Sequence, residues 1–169
     1  LPKLCMMHCN VWHNICHSHH VNYHNNSMRA NIRINELTRV VIVGAGLGGL
    51  QLAMHLRKAG FQVVIVDKNN YNQFPPLIYQ VASAGLEPSS ISFPLRRIFQ
   101  GYKNYFFRMA EVREIDVKEK AIRTTVGTIH YNYLVLAMGA TTNFFGNEDV
   151  ERHALPMKTV EDAMALRNH

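Results

Sequence analysis

The stretch that decides the fold is Val40-Val41-Ile42-Val43-Gly44-Ala45-Gly46-Leu47-Gly48-Gly49-Leu50. Four consecutive β-branched residues, Val40 to Val43, suit a strand buried on both faces. They run directly into G-x-G-x-x-G, and a helical pattern follows. This order is the fingerprint of a dinucleotide-binding turn. Gly44 allows the tight turn out of the strand. Gly46 has no Cβ, so a pyrophosphate can approach the backbone. Gly49 lets the helix pack closely on the strand. The helix N-terminus offers unpaired N–H groups and a partial positive charge to phosphate.

The flanking sequence supports this reading. Leu50, Ala53, Met54 and Leu56 recur at helical spacing, Arg57 and Lys58 suit the negative end of the helix, and Gly60 stops it. A second apolar strand, Gln62 to Val66, ends at Asp67. An acidic residue there, about 20 positions past the first glycine, suits an adenosine ribose. Strand, glycine turn, helix, strand and acid therefore occur in the order a βαβ nucleotide site requires.

The 169 residues suffice for one domain of ordinary size, and a hydrophobic content of 47% fits a globular chain. No run approaches the ~20 apolar residues of a membrane-spanning helix, and no signal peptide is evident. The net charge of +6 favours anionic partners such as cofactor phosphates or acidic lipid surfaces. Nucleic acid is not expected, because no basic stripe with interleaved aromatics stands out.

The first 27 residues differ from everything after them. They hold all three cysteines (Cys5, Cys9, Cys16) and six of the ten histidines. Such residues could bind zinc or copper. No apolar framework surrounds them and no finger spacing fits, so residues 1–27 read as a disordered tail or a leader ahead of Met28, and no metal site is expected.

Beyond Asp67, Asn69 to Gly101 reads as irregular. Leu77 to Ala84 suits a short helix ending at Gly85. Ser89 or Ser90 could cap a second helix, with Pro94 early in it. Phe106 to Val117, Ala121 to Val126 and Thr128 to Tyr131 read as a small antiparallel meander. Tyr133 to Ala137 is a strongly apolar strand that runs into Met138-Gly139-Ala140. Val160, Ala163, Met164 and Leu166 begin an amphipathic helix that residue 169 cuts short. The fold class is α/β: a Rossmann-like FAD/NAD(P)-binding domain, with a parallel sheet, helices and an antiparallel meander, incomplete at the C-terminus.

From residue 38 on, this order of parts resembles the FAD half of a two-dinucleotide flavoprotein. Asp67-Lys68 followed by NNYNQFPPLIYQVASAGLEPSSISFPLRR is similar to the type II NADH dehydrogenases, the non-proton-pumping NADH:quinone oxidoreductases. They sit within the superfamily of pyridine-nucleotide-disulfide oxidoreductase-like flavoproteins. The resemblance implies that residues 28–169 are the N-terminal portion of an FAD-binding domain. Gly44, Ala45, Gly46, Leu47, Gly48 and Gly49 would cradle the FAD pyrophosphate. Asp67 would take the ribose hydroxyls with Lys68 beside it, and Val112 would meet the adenine through its backbone. Ala137, Met138 and Gly139 would pass near the FAD, while Phe74, Pro76, Leu77 and Gln80 would approach the flavin or quinone. Many members have Asp where Asn132 stands and Thr where Met138 stands.

The implied reaction passes electrons from NADH through FAD to a membrane quinone. The flavin supplies that chemistry, so no catalytic residue is assigned. The NADH site would lie outside this chain, which alone would be an inactive fragment. Peripheral membrane association through a missing C-terminal part, a location on the inner face of the cell membrane, and a homodimer are further implications. No cysteine follows Cys16, so the redox-active pair of flavin disulfide reductases has no counterpart in this segment. Alternatives are a related reductase with another acceptor, or a non-catalytic nucleotide-binding module.

Overall fold

The computed structural model describes the backbone of Cys5–Met6 and residues 30, 32–33 and 35–169. It divides into two compact units, Leu1–Asn70 with Phe99–Ala140, and Tyr71–Ile98 with Thr141–His169.

In the first unit, strand β1 is Cys5–Met6, β2 is Arg39–Val43, helix α1 is Leu47–His55 and β3 is Gln62–Asp67. A single 3-10 turn, Leu56–Lys58, extends α1, and Gly60 (φ +69°) closes it as expected. Met54 points outward instead of joining the apolar face, whereas Ala53 is fully buried.

Asn69 to Gly101, of which Tyr71–Ile98 belongs to the second unit, is more regular than the sequence suggested. Strand β4 (Tyr71–Gln73) pairs antiparallel with β5 (Ser92–Pro94), Gln73 opposite Ser92. Between them lie α2 (Ile78–Ala82) and α3 (Pro88–Ile91), and α4 (Leu95–Ile98) follows β5. Leu77 closes a 3-10 turn, Pro75–Leu77, rather than opening the helix. The expected second helix is therefore interrupted by β5. Glu87 occupies the N-cap position of α3 without a side-chain capping bond and Pro88 takes its first position, so Ser89 and Ser90 lie inside the helix rather than capping it.

Phe106 to Val117 is two strands, not one. β6 (Tyr105–Met109) joins the parallel sheet, and β7 (Val112–Asp116) begins the meander with β8 (Ala121–Thr124) and β9 (Gly127–His130). The break has a physical cause. The Ala110 N–H makes the last bond to β3, donating to the Asp67 carbonyl at 2.8 Å, and the next residue, Glu111, is already bonded to Thr125 beside the meander, accepting from its N–H at 3.0 Å. β10 (Tyr133–Leu136) then returns to the parallel sheet. Finally α5 (Glu148–His153) and α6 (Val160–Arg167) complete the second unit.

The main sheet has the order β1-β10-β2-β3-β6, all parallel. On one face, Val41, Val43, Val64, Val66 and Leu134 pack against Ile122 and Ile129 of the meander. Val63, Ile65 and Phe107 face the other side, where Tyr105 donates its hydroxyl to the Ala53 carbonyl of α1 at 2.6 Å. Burial of both faces explains why β2 and β3 read as unbroken apolar runs. The one polar residue in these buried runs, Gln62, is satisfied: it accepts from Arg39 Nε and donates to the Arg33 carbonyl.

The core of the second unit joins Ile78, Val81 and Ile91 to Val160 and Ala163 of α6. Val160 and Ala163 of α6 are thus covered within their own unit, while Met164 and Leu166 of the same helix remain exposed. Of the first 27 residues, Cys5 and Met6 pair with Val135 and Leu136; the remainder of the expected tail, and its metal reading, fall outside the described residues.

Candidate functional site

The order of the sheet locates the site. From β2 the chain crosses through α1 to β3 and goes on to β6, then comes back to place β10 on the other side of β2. Strand order therefore reverses between β2 and β10, and ligands bind beyond the C-terminal strand ends at such a switch point. The glycine turn leaves β2 at that position.

Each glycine meets a different constraint. Gly44 has φ +96°, a conformation L side chains rarely adopt. A Cβ there would stand 2.3 Å from the Ala137 carbonyl oxygen, because β10 ends against the turn. A Cβ on Gly49 would stand 1.9 Å from the Gly44 carbonyl oxygen. Gly46 is different: its backbone is extended and nothing lies within 4 Å of a built Cβ. The space beside Gly46 is open, as an approaching phosphate requires.

α1 begins with no side-chain cap and no acidic residue in its first turn. Its first N–H groups and the positive end of its dipole thus face outward, beside exposed Gly46, Leu47 and Gly48. This suits an anion, and the residues present fit the diphosphate of a dinucleotide.

Asp67 ends β3 and reaches back to the turn. Its Oδ2 accepts from the Ala45 N–H at 2.6 Å, and its Oδ1 accepts from the Asn69 N–H at 2.8 Å. A carboxylate has about four acceptor sites, so each oxygen retains capacity for a further donor. Lys68 is exposed beside it. Val112, half-buried at the start of β7, packs against the core under the meander. Ala137 continues β10, its N–H donating to the Val43 carbonyl at 2.7 Å, and Met138 and the left-handed Gly139 (φ +74°) are exposed beyond it.

The first unit thus brings together the glycine turn, Asp67 and Ala137 to Gly139. Phe74, Pro76, Leu77 and Gln80 lie in the second unit. Phe74 and Pro76 are exposed, Leu77 packs on the α2–α6 core, and the Gln80 amide donates to the Tyr79 hydroxyl at 3.1 Å. Two features escaped sequence reasoning. The Asn69 bond to Asp67 is an Asx-type turn, whose signal is Asp two residues ahead of the amide it holds. Met109 stands in register with Asp67 and is half exposed; reading Phe106 to Val117 as one strand hid that strand end. Among the described residues no group of three or more His, Cys, Asp or Glu could hold a metal. Nor is any described helix long and apolar enough to cross a membrane.

A parallel sheet with a glycine turn at its switch point, and an acid at the next strand end, defines a dinucleotide-binding domain. The chain belongs to the pyridine nucleotide-disulphide oxidoreductase family, whose pattern matches residues 38–169. It is 37% identical over 135 residues to the type II NADH:quinone oxidoreductase NdhA of Mycobacterium tuberculosis, covering 76% of this chain and 28% of that protein. A mitochondrial external alternative NAD(P)H-ubiquinone oxidoreductase of Arabidopsis thaliana is 31% identical over 141 residues, covering 77% of this chain and 24% of that protein. Among solved structures, the sulfide:quinone oxidoreductase of Aquifex aeolicus superposes with a TM-score of 0.72 at 28% identity, over 78% of this chain and 31% of that one. The chain thus spans less than a third of the length of these relatives.

Proposed function

We propose that this chain forms the FAD-binding part of an oxidoreductase that passes electrons from NADH to a quinone. The observation that carries the reading is the glycine turn at the β2/β10 switch point, open at Gly46 and closed at Gly44 and Gly49, where a Cβ would stand 2.3 Å and 1.9 Å from backbone oxygens. Similarity to a type II NADH:quinone oxidoreductase and to an NAD(P)H-ubiquinone oxidoreductase supports the choice of substrates.

When bound, FAD supplies the hydride and electron chemistry. The chain's own residues do the holding. Gly44 to Gly49 and the α1 N-terminus receive the diphosphate. Asp67 accepts from the ribose hydroxyls, with Lys68 adding positive charge nearby, and the Val112 backbone meets the adenine. Ala137, Met138 and Gly139 line the opposite side of the turn. Phe74, Pro76, Leu77 and Gln80 serve the flavin or quinone end. The NADH site belongs to sequence outside this chain, and so does the contact with the membrane, which we place on the inner face of the cell membrane. A homodimer is the proposed assembly.

The absence of cysteine from residues 38–169 favours direct flavin-to-quinone transfer over a thiol relay in this segment. The test is spectroscopic. The protein carrying this chain should show a flavin spectrum that NADH bleaches and a soluble quinone restores. A flavin that NADH bleaches but no quinone reoxidises would assign another acceptor.

A further inference from the structure

The carboxylate of Asp67 is already engaged before any ribose arrives. Its Oδ2 takes the Ala45 N–H at 2.6 Å, and Ala45 lies between the two glycines that shape the turn. Its Oδ1 takes the Asn69 N–H at 2.8 Å, which fixes the carboxylate itself. Ala45 is almost fully buried, at 2% exposure. Exposed Gly46 and Leu47 follow it immediately, where the chain has open space and no side-chain cap. Gly44, before Ala45, is fixed by its contact with Ala137 and by its N–H bond to the Val66 carbonyl at 2.8 Å, whereas Gly46, after it, keeps glycine freedom, so the bond at Ala45 ties the turn on its open side. The bond is charge-assisted, the stronger class of hydrogen bond.

We propose that Asp67 is a positioning residue for the diphosphate as well as a ribose ligand: its bond to the Ala45 N–H sets the glycine turn in its anion-binding shape. This rests on the nucleotide reading of the site. It makes a prediction opposite in sign to simple electrostatics. Asp67 is an anion, so removing it should tighten binding of a free anion if charge were its only influence. If it preorganises the turn, removing it should weaken binding of an anion that has no ribose.

The probes are inorganic pyrophosphate and ADP, titrated by calorimetry into the full chain and into its Asp67→Ala variant. The expected result is about tenfold weaker pyrophosphate binding in the variant, and a larger loss for ADP, which also loses its ribose acceptor. Pyrophosphate binding that is unchanged or tighter in the variant, with ADP binding weakened, would overturn the positioning role and leave the ribose role standing. Wild-type chain that binds neither probe would overturn the nucleotide reading together with it. A second measurement needs no variant. In the wild-type chain the Ala45 amide should exchange with solvent hydrogen at least tenfold more slowly than the amides of exposed Gly46 and Leu47, and Ala45 exchange as fast as theirs overturns the proposal even if Asp67→Ala does not fold.

Discussion

At the scale of single residues, the three glycines of the turn separate folding from binding. Gly49→Ala drives a Cβ to within 1.9 Å of a backbone oxygen that cannot move without unseating Gly44. It should cost about 3 kcal/mol, read as a lower denaturant midpoint. Gly44→Ala adds a positive-φ strain to a 2.3 Å clash and should be at least as damaging. A Cβ on Gly46, as in Gly46→Val, meets no protein atom within 4 Å. The variant's melting should stay within about 1 kcal/mol of the parent, while its side chain fills the space a phosphate needs. A Gly46→Val protein that melts normally and binds FAD as well as the parent would show that the open side of the turn is not the ligand side. The glycine pattern was legible from sequence because only glycine solves these three local problems. What was not legible is which problem each one solves: the Ala137 contact at Gly44 exists only after β10 returns from 93 residues away to lie beside β2, as the Arg39–Asn132 bond also requires.

At the scale of elements, α6 is held by local chemistry that can be titrated. Thr159 and Asp162 form a capping box, and the Asp162 carboxylate also accepts from the Lys158 N–H at 3.0 Å. Gln73 of β4 accepts from the Val160 N–H at 3.1 Å, and the Tyr71 hydroxyl donates to Glu161. Thr159→Ala should therefore cost about 1 kcal/mol, seen in chemical denaturation. The bond from Tyr71 holds the Glu161 carboxyl below its ordinary value of 4.5, outweighing partial burial. For Asp162, burial pushes upward, but the hydrogen bonds from Lys158 and Thr159 together hold it below 3.8. Both are lowered in the folded chain, so their stabilisation is complete above those ordinary values and drains away as pH falls through the lower folded ones. Melting temperature should thus drop on acidification below about pH 4.5, and a Glu161→Gln, Asp162→Asn double variant should flatten that drop. A drop of the same size in the variant would assign it to other carboxylates. The helix itself was readable from the spacing of Val160, Ala163 and Met164. Its partners were not, since Tyr71 and Gln73 sit in a stretch whose prolines and asparagines read as irregular. Short antiparallel pairs such as β4–β5, three residues each, leave too little periodicity to detect.

At the scale of the whole chain, each unit carries its own apolar core. Ile122 and Ile129 of the meander are almost fully buried against the β2–β3 face. Ile122→Ala should cost about 2–5 kcal/mol and would show as a lower melting temperature. β1 adds two register pairs at the outer edge of β10, at the opposite side from Asp67. Removing residues 1–27 should leave FAD affinity within about twofold, less than the tenfold step of 1.4 kcal/mol. The parallel sheet was legible from its apolar runs, and the strand–turn–helix step from its glycines, because both obey local rules. The division into two units was not, because it depends on residues 71–98 and 141–169 finding each other across the intervening sheet strands.

The central claim is that the open side of the Gly44–Gly49 turn holds the diphosphate of FAD. It is tested most directly by titrating FAD and NAD separately into the protein and into Gly46→Val, following flavin fluorescence and calorimetric heat. The account predicts that the parent binds FAD in preference to NAD, that ADP competes for the same site, and that Gly46→Val keeps its melting transition but loses FAD. Tight NAD binding without FAD, or undiminished FAD binding by a folded Gly46→Val protein, would contradict it.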